Sequence, residues 1–215
     1  MKNIYKMLCC AVCLNILCGC ANMREAEPEP TMYNEPRYVE APIQLKVSKI
    51  DVVPEFTPSF MRPNVEHLFP VSIEKTAELW AQDRLAAVDS RSNRTAAFII
   101  KDASVTEEEV KSEQMFEKDK LKYHATVSVV VRVTDQERQT TAETYVEAWR
   151  ELLIPIDTPL EEKERYWNDV VKKLFDAFNE RMDAKINQSL NMYVQNNNSI
   201  REQRNMLSQS HTRPV

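Results

Sequence analysis

The clearest pattern in the chain is a two-residue alternation. Leu121, Tyr123, Ala125, Val127, Val129, Val131 and Val133 alternate with Lys122, His124, Thr126, Ser128, Val130 and Arg132. Successive side chains of a strand point to opposite faces, so this spacing predicts a strand with one buried face and one wetter face. Asp135-Gln-Glu-Arg138 turns it. Ala142, Thr144, Val146 and Ala148 then continue the inward face, with Glu143, Tyr145, Glu147, Trp149 and Glu151 on the other. Upstream, Ile43, Leu45 and Val47 alternate, and Ile50 and Val52 follow out of phase. That shift predicts one strand with a bulge near Ser48-Lys49. Ala96 to Val105 reads as a further strand, and the charged run from Thr106 to Lys120 as a solvated hairpin loop.

Two stretches change to the helical period. Ser72 can cap a helix from Ile73 to about Val88, where Ile73, Ala77, Trp80, Arg84 and Ala87-Val88 share one stripe. Thr158 as N-cap, Pro159 at the first helical position and Glu161 completing a capping box open a second helix. Its stripe runs through Leu160, Trp167, Val171, Leu174, Phe178, Met182, Ile186, Leu190 and Tyr193. From Pro159 to Val194 such a helix spans about 54 Å, more than a small sheet covers. Its last turns, with Met182, Ile186, Leu190 and Tyr193, are expected either to project and engage a partner or to close the core. The order β-α-β-β-β-α predicts an α+β fold: a mainly antiparallel four-stranded sheet with two helices on one face.

The flanks lack such patterns. Residues 20–42 are rich in Pro and Glu and read as a semi-extended tether. Residues 43–195 form the single predicted domain, and 196–215 a disordered polar tail. Pro54, Pro58, Pro63 and Pro70 exclude a central strand or helix between the first strand and the first helix. The apolar residues there, Phe56, Phe60, Met61, Leu68 and Phe69, either pack onto the domain or form a contact surface.

The first nineteen residues have another logic. Lys2 and Lys6 precede an apolar run from Met7 to Leu17, and Leu17-Cys18-Gly19-Cys20 supplies a small residue before a cut. The run is too short to span a bilayer, which takes about 20 apolar residues. This tetrapeptide resembles the bacterial lipobox. The resemblance implies a signal peptide over 1–19, diacylglyceryl transfer to the Cys20 thiol, cleavage after Gly19 and acylation of the new N-terminus. The protein is then expected in the cell envelope, facing the periplasm. Ala21, where an enterobacterial rule reads Asp as an inner-membrane signal, points to the outer membrane.

Composition removes several functions. All five cysteines lie within the first twenty residues, and only Cys20 survives that cut. No disulfide, catalytic thiolate or cysteine metal site is then expected. The single glycine, Gly19, goes with the signal. Phosphate-cradling loops, the dinucleotide fingerprint and the nucleophile elbow all need glycine, so none is expected in its usual form. A net charge of −5 gives no basic excess that would point to nucleic acid. His67, His124 and His211 share no metal-ligand spacing. No cofactor or metal is expected. Glu143, Glu147 and Glu151 lie at strand spacing, and paired acids can hydrolyse glycosides; a soluble strand face gives the same pattern. Tyr145 and Trp149 stand where water-facing polar groups are expected. They form a candidate partner surface unless the apolar 56–69 loop covers them.

Lipobox, tether and β-α-β-β-β-α with a long last helix resemble the LptE-type lipopolysaccharide-assembly lipoproteins and, in outline, the auxiliary lipoproteins of envelope ABC transporters. The resemblance spans Cys20 to Val194 in organisation. It implies a non-catalytic role assisting an outer-membrane barrel or transport complex. A lipid- or glycan-binding lipoprotein and a carboxylate-based cell-wall hydrolase are the other readings.

Overall fold

The computed structural model describes residues 32–112 and 118–195. Cys20, the segment read as a signal, most of the segment read as a tether and the 196–215 tail lie outside them. Every described element belongs to the unit that begins at Tyr33.

The long alternating strand is the centre of the architecture. β6 (Lys120–Asp135) pairs along its whole length with antiparallel β7 (Thr140–Pro155), from Lys120↔Pro155 to Asp135↔Thr140. Its other edge is shared. β4 (Arg94–Asp102) covers residues 128–135, and β5 (Val105–Val110) covers 120–125. β2 (Ile50–Pro54) lies parallel to β4, with Ile50 opposite Ala96. The main sheet is therefore five-stranded and mixed, where the alternation alone predicted four strands, mainly antiparallel. The fold class remains α+β.

Two further corrections have one cause, long-range pairing. The phase shift at Ser48-Lys49 is a change of sheet rather than a bulge. β1 (Ile43–Leu45) leaves the main sheet and pairs in parallel with β3 (Leu85–Ala87). Ser48 marks the crossing: its N–H and its hydroxyl both donate to the Arg94 carbonyl at 2.8 Å. The first helix accordingly stops early. α1 covers Ile73–Arg84, with the Ser72 hydroxyl accepting from the Lys75 N–H, and the next three residues become β3. The charged segment read as a loop contributes β5. Glu107 faces inward there, opposite Tyr123, and its largely buried carboxylate is paired with Arg62.

α2 spans Leu160–Ser189. The expected capping box does not form. Pro159 occupies the N-cap position without a side-chain bond, and the Thr158 hydroxyl donates to the Pro155 carbonyl at 2.7 Å. Glu161 and Glu162 in the first turn still match the positive end of the helix. After the helix the chain joins β1: Leu45 bridges Val194, and the N–H of Lys46 donates to the Tyr193 carbonyl at 2.7 Å.

Both helices lie on the inward face of the sheet. Tyr123, Ala125, Val127, Val129, Val131 and Val133 are fully buried beneath them. Trp80 of α1 stacks on Phe98 of β4 and meets Phe178 of α2 edge-on, so one side chain joins both helices to the sheet. Residues 33–42, read as tether, dock onto this unit. Tyr33 and Tyr38 pack against the core, and Arg37 pairs with Asp83 of α1.

The β6–β7 turn is made without glycine. Gln139 takes a left-handed φ of 53°, and Asp135 Oδ1 accepts from the N–H groups of Glu137 and Arg138. The other oxygen of Asp135 accepts from Arg94 Nε at 2.9 Å. Its carboxyl is held below the usual aspartate value, by the Arg94 hydrogen bond first and by the backbone donors next. A depressed folded value stabilises above the unfolded pKa of about 4 and loses that contribution as pH falls through the folded value. Asp135→Asn is therefore expected to lower stability at neutral pH and flatten its acid dependence below about pH 4. Urea midpoints measured across that range check this; an unchanged acid slope would remove Asp135 from the account.

Candidate functional site

The outward face of the sheet is the candidate site, and strand parity builds it. The register sets Val53, Ile99, Val130 and Tyr145 in one row across four strands. One step along the strands, Ser128 stands beside Glu147; the next pairs set Thr126 beside Trp149, and His124 beside Glu151. Ile99 is buried within its row, whereas Tyr145 is 51% exposed, Trp149 48% and Leu153 54%.

The 56–69 loop does not cover these aromatics. Its Phe69 ring stacks on Trp167 at 4.9 Å and meets Tyr123 edge-on, both on the inward side. Its Val65 N–H donates to the Val105 carbonyl, on the far edge of the sheet from β7. Among the described residues, Tyr145 and Trp149 stay open.

The ionisable side chains around them have partners. Trp149 stacks on His124 with centroids 5.5 Å apart and planes at 23°. His124 Nδ1 lies 3.5 Å from Glu151, whose carboxylate also pairs with Lys122 at 2.7 Å. That lysine, ahead of the smaller His124 contribution, holds the Glu151 carboxyl below the ordinary glutamate range. Arg132 Nε donates to Glu143 at 3.0 Å. The Tyr145 phenol donates to Glu147, which raises its pKa, with burial adding to the shift. The three strand-spaced carboxylates thus share a face as expected, but on an open sheet and bound to neighbours.

Among the described residues, β7 pairs with no strand on its side away from β6, and that edge runs beside this face. The carbonyl of Glu147 accepts from Arg181 of α2 at 2.8 Å, and that of Trp149 from Arg150 at 3.0 Å. In an antiparallel pair, residues of one parity turn their backbone groups away from the partner strand. The same odd-numbered residues therefore present side chains on the open face and backbone groups on the open edge. Two guanidiniums occupy the middle of that edge, which is how charged side chains blunt strand-to-strand association.

The other predicted contact residues are elsewhere. Met182, Ile186 and Leu190 are fully buried, so this stripe closes the core and offers no partner surface. Tyr193 is partly buried, with the Arg94 guanidinium 5.6 Å from its ring centroid. The cause is the pairing of the chain after α2 with β1. Among the described residues no group of His, Cys, Asp and Glu is arranged to hold a metal, and no helix is long and apolar enough to cross a membrane.

Sequence reasoning missed the role of Arg84. It is 2% exposed and gathers α1, α2 and the incoming chain through Asp183, Asn179 and the Ala41 carbonyl. The signal was present, because a charged residue occupied an apolar stripe. It also missed Glu66, which has one buried carboxylate oxygen without a partner.

No protein-family model and no curated protein matches the chain. Among solved structures it is similar to a minor lipoprotein from Acinetobacter baumannii, at 11% identity and a TM-score of 0.37, over 65% of this chain and 93% of that one. It is also similar to the rare lipoprotein B from Shewanella oneidensis, at 12% identity and a TM-score of 0.24, over 63% of this chain and 98% of that one. Scores this low set neither fold nor function, which rest on the residues themselves.

Proposed function

We propose that this protein is an acylated envelope lipoprotein, anchored through Cys20, that acts without catalysis as an accessory to an envelope transport or outer-membrane complex. The anchor reading rests on Leu17-Cys18-Gly19-Cys20 after a short apolar run. Two or more acyl chains give a stable attachment. The periplasmic side of the outer membrane is the location this reading favours.

The contact reading rests on one observation. The helices bury one face of the sheet, while the other presents Tyr145 and Trp149 half exposed and rigidly set on a long strand. Aromatics of this kind anchor protein partners at low cost in conformational freedom. On this face Glu143, Glu147 and Glu151 lie on an open sheet and are each bound to a neighbouring side chain, which supports contact over hydrolysis. The Trp149–His124 stack keeps a second reading alive, a glycan or lipid ligand on the same face.

One variant separates these readings. Tyr145→Ala with Trp149→Ala removes two half-exposed rings and their cross-strand contacts while leaving the core intact, so its stability from urea unfolding should stay within about 2 kcal/mol of the parent. In envelopes crosslinked in the living cell, the parent should bring down a defined barrel or transporter component, and the variant should lose at least about nine-tenths of it. A retained complex removes the face from the interaction. Recovery of glycan or lipid in place of protein, lost in the same variant, would establish the second reading.

A further inference from the structure

The 56–69 loop, which the proposed contact face does not use, folds over the start of α1 and encloses a cleft of about 190 Å³. Phe56, Pro58, Phe60 and Phe69 line it, so its walls are largely aromatic. Two carboxylates, Glu66 and Glu74, share the lining. One oxygen of Glu66 accepts from the Ser59 N–H at 2.7 Å, while the other is buried without any partner. A carboxylate oxygen taken from water and left unpaired is costly, and because this one is closed even to water, a cation in the cleft would offset the cost through its charge on the carboxylate as a whole.

Among the described residues, the nearby cations are engaged elsewhere. Arg62, in the same loop, is paired with Glu107, and Lys75, in the first turn of α1, with Glu78. The Ser72 hydroxyl at the helix start is taken by the Lys75 N–H. His67 turns its ring to Phe60, 5.4 Å away. Burial, followed by the charge of Glu78, pushes the Glu74 carboxyl up, so the second acid also gains from a nearby positive charge. Aromatic faces beside a carboxylate are the surroundings in which organic ammonium ions bind, because the ring quadrupole attracts the cation and the ring desolvates it.

We propose that this cleft is a binding site for a small organic ammonium ion, held by Glu66 within walls formed by Phe56, Phe60 and Phe69. The volume equals roughly six waters, enough for an aminoalkyl group. The surroundings favour a lipid source for that group. Phe60 is 76% exposed, Met61 77% and Leu68 46%, so the mouth of the cleft carries an uncovered apolar tip. Such a tip suits the acyl side of a bilayer interface, where an aminoethyl headgroup would reach the cleft. The cleft itself does not depend on acylation at Cys20.

The test uses the full chain carrying Cys20→Ala, so that acyl chains cannot supply membrane binding. Ethylammonium chloride, compared with sodium chloride at equal ionic strength, should raise the melting temperature by about 3 °C at roughly ten times its dissociation constant. Glu66→Gln retains the acceptor for Ser59 and should abolish the rise. Phe60→Leu, at an exposed position that does not threaten folding, should weaken binding about three-fold to five-fold. Vesicles of phosphatidylethanolamine and phosphatidylglycerol should co-sediment the chain, and vesicles with N-acetylated ethanolamine headgroups should not. Stabilisation by ethylammonium without vesicle binding would assign the site to a free amine. No stabilisation, or an equal rise in Glu66→Gln, would overturn the proposal.

Discussion

Trp80→Ala is expected to cost about 3–5 kcal/mol, the range for emptying a buried aromatic site. Folded domains hold only about 5–15 kcal/mol in total, so the variant should be marginal at 37 °C. Trp80 is fully buried, and three contacts set the size of the loss. Its ring stacks on Phe98 at 5.6 Å, meets Phe178 at 5.2 Å, and its indole N–H donates to Asn179 at 2.8 Å. Alanine removes the packing between sheet, α1 and α2 and leaves Asn179 short of a donor. Trp80→Phe keeps a ring and loses the hydrogen bond, for about 1–2 kcal/mol. Trp167 is an internal control. It is also buried, but its indole nitrogen makes no hydrogen bond of good geometry, its neighbour Tyr123 included, so Trp167→Phe gives up mainly volume and should cost less than Trp80→Phe. Urea unfolding of the three variants checks the order. Equal costs for the two Trp→Phe changes would mean that the Asn179 bond adds nothing.

The difference between these tryptophans also marks what a sequence can tell. Both lie in apolar helix stripes, and periodicity alone places both in the core. Which one has a partner for its N–H depends on an asparagine 99 positions away in the chain. The same boundary runs through the fold. β6 and β7 were legible because alternation is local, and it put Tyr145 and Trp149 on the open face correctly. β5 was not, because three successive glutamates look like solvent-facing loop; pairing with β6 and the Arg62 partner of Glu107 override that composition. The separation of β1 from β2 and the early end of α1 are two views of one non-local event, the parallel pairing of Ile43–Leu45 with Leu85–Ala87. The fate of the last stripe of α2 was undecidable for the same reason. Whether Leu190 faces a partner or the core depends on where β1 lies.

Asp183→Ala is expected to destabilise more than removal of its own partner, Arg84. The Arg84 side chain is 3% exposed, whereas that of Asp183 is 38% exposed. Both oxygens of Asp183 accept from one Arg84 nitrogen, at 2.8 and 2.7 Å, and Arg84 Nε donates to Asn179 at 3.2 Å. Glu40 lies 3.1 Å away but is 58% exposed, so water screens it. Loss of Asp183 leaves a guanidinium in the interior facing a screened acid, a state that costs about 3 kcal/mol. Loss of Arg84 to alanine leaves an aspartate that water can reach, and its cost of about 2 kcal/mol comes mainly from the buried stem. Arg84→Leu fills the stem's space without a charge. It should be milder still, near 1 kcal/mol, because well-packed apolar volume can replace a buried ion pair at little net cost. A urea series over the three variants tests that order, and a reversed order would mean that Arg84 acts through packing alone. The arrangement also bears on the anchor. Arg84 donates to the Ala41 carbonyl and faces Glu40, so it fastens the chain just before β1 to both helices. Hydrogen exchange across residues 37–42 should therefore rise in Asp183→Ala more than exchange in β6, and the segment leading toward Cys20 should loosen before the sheet does.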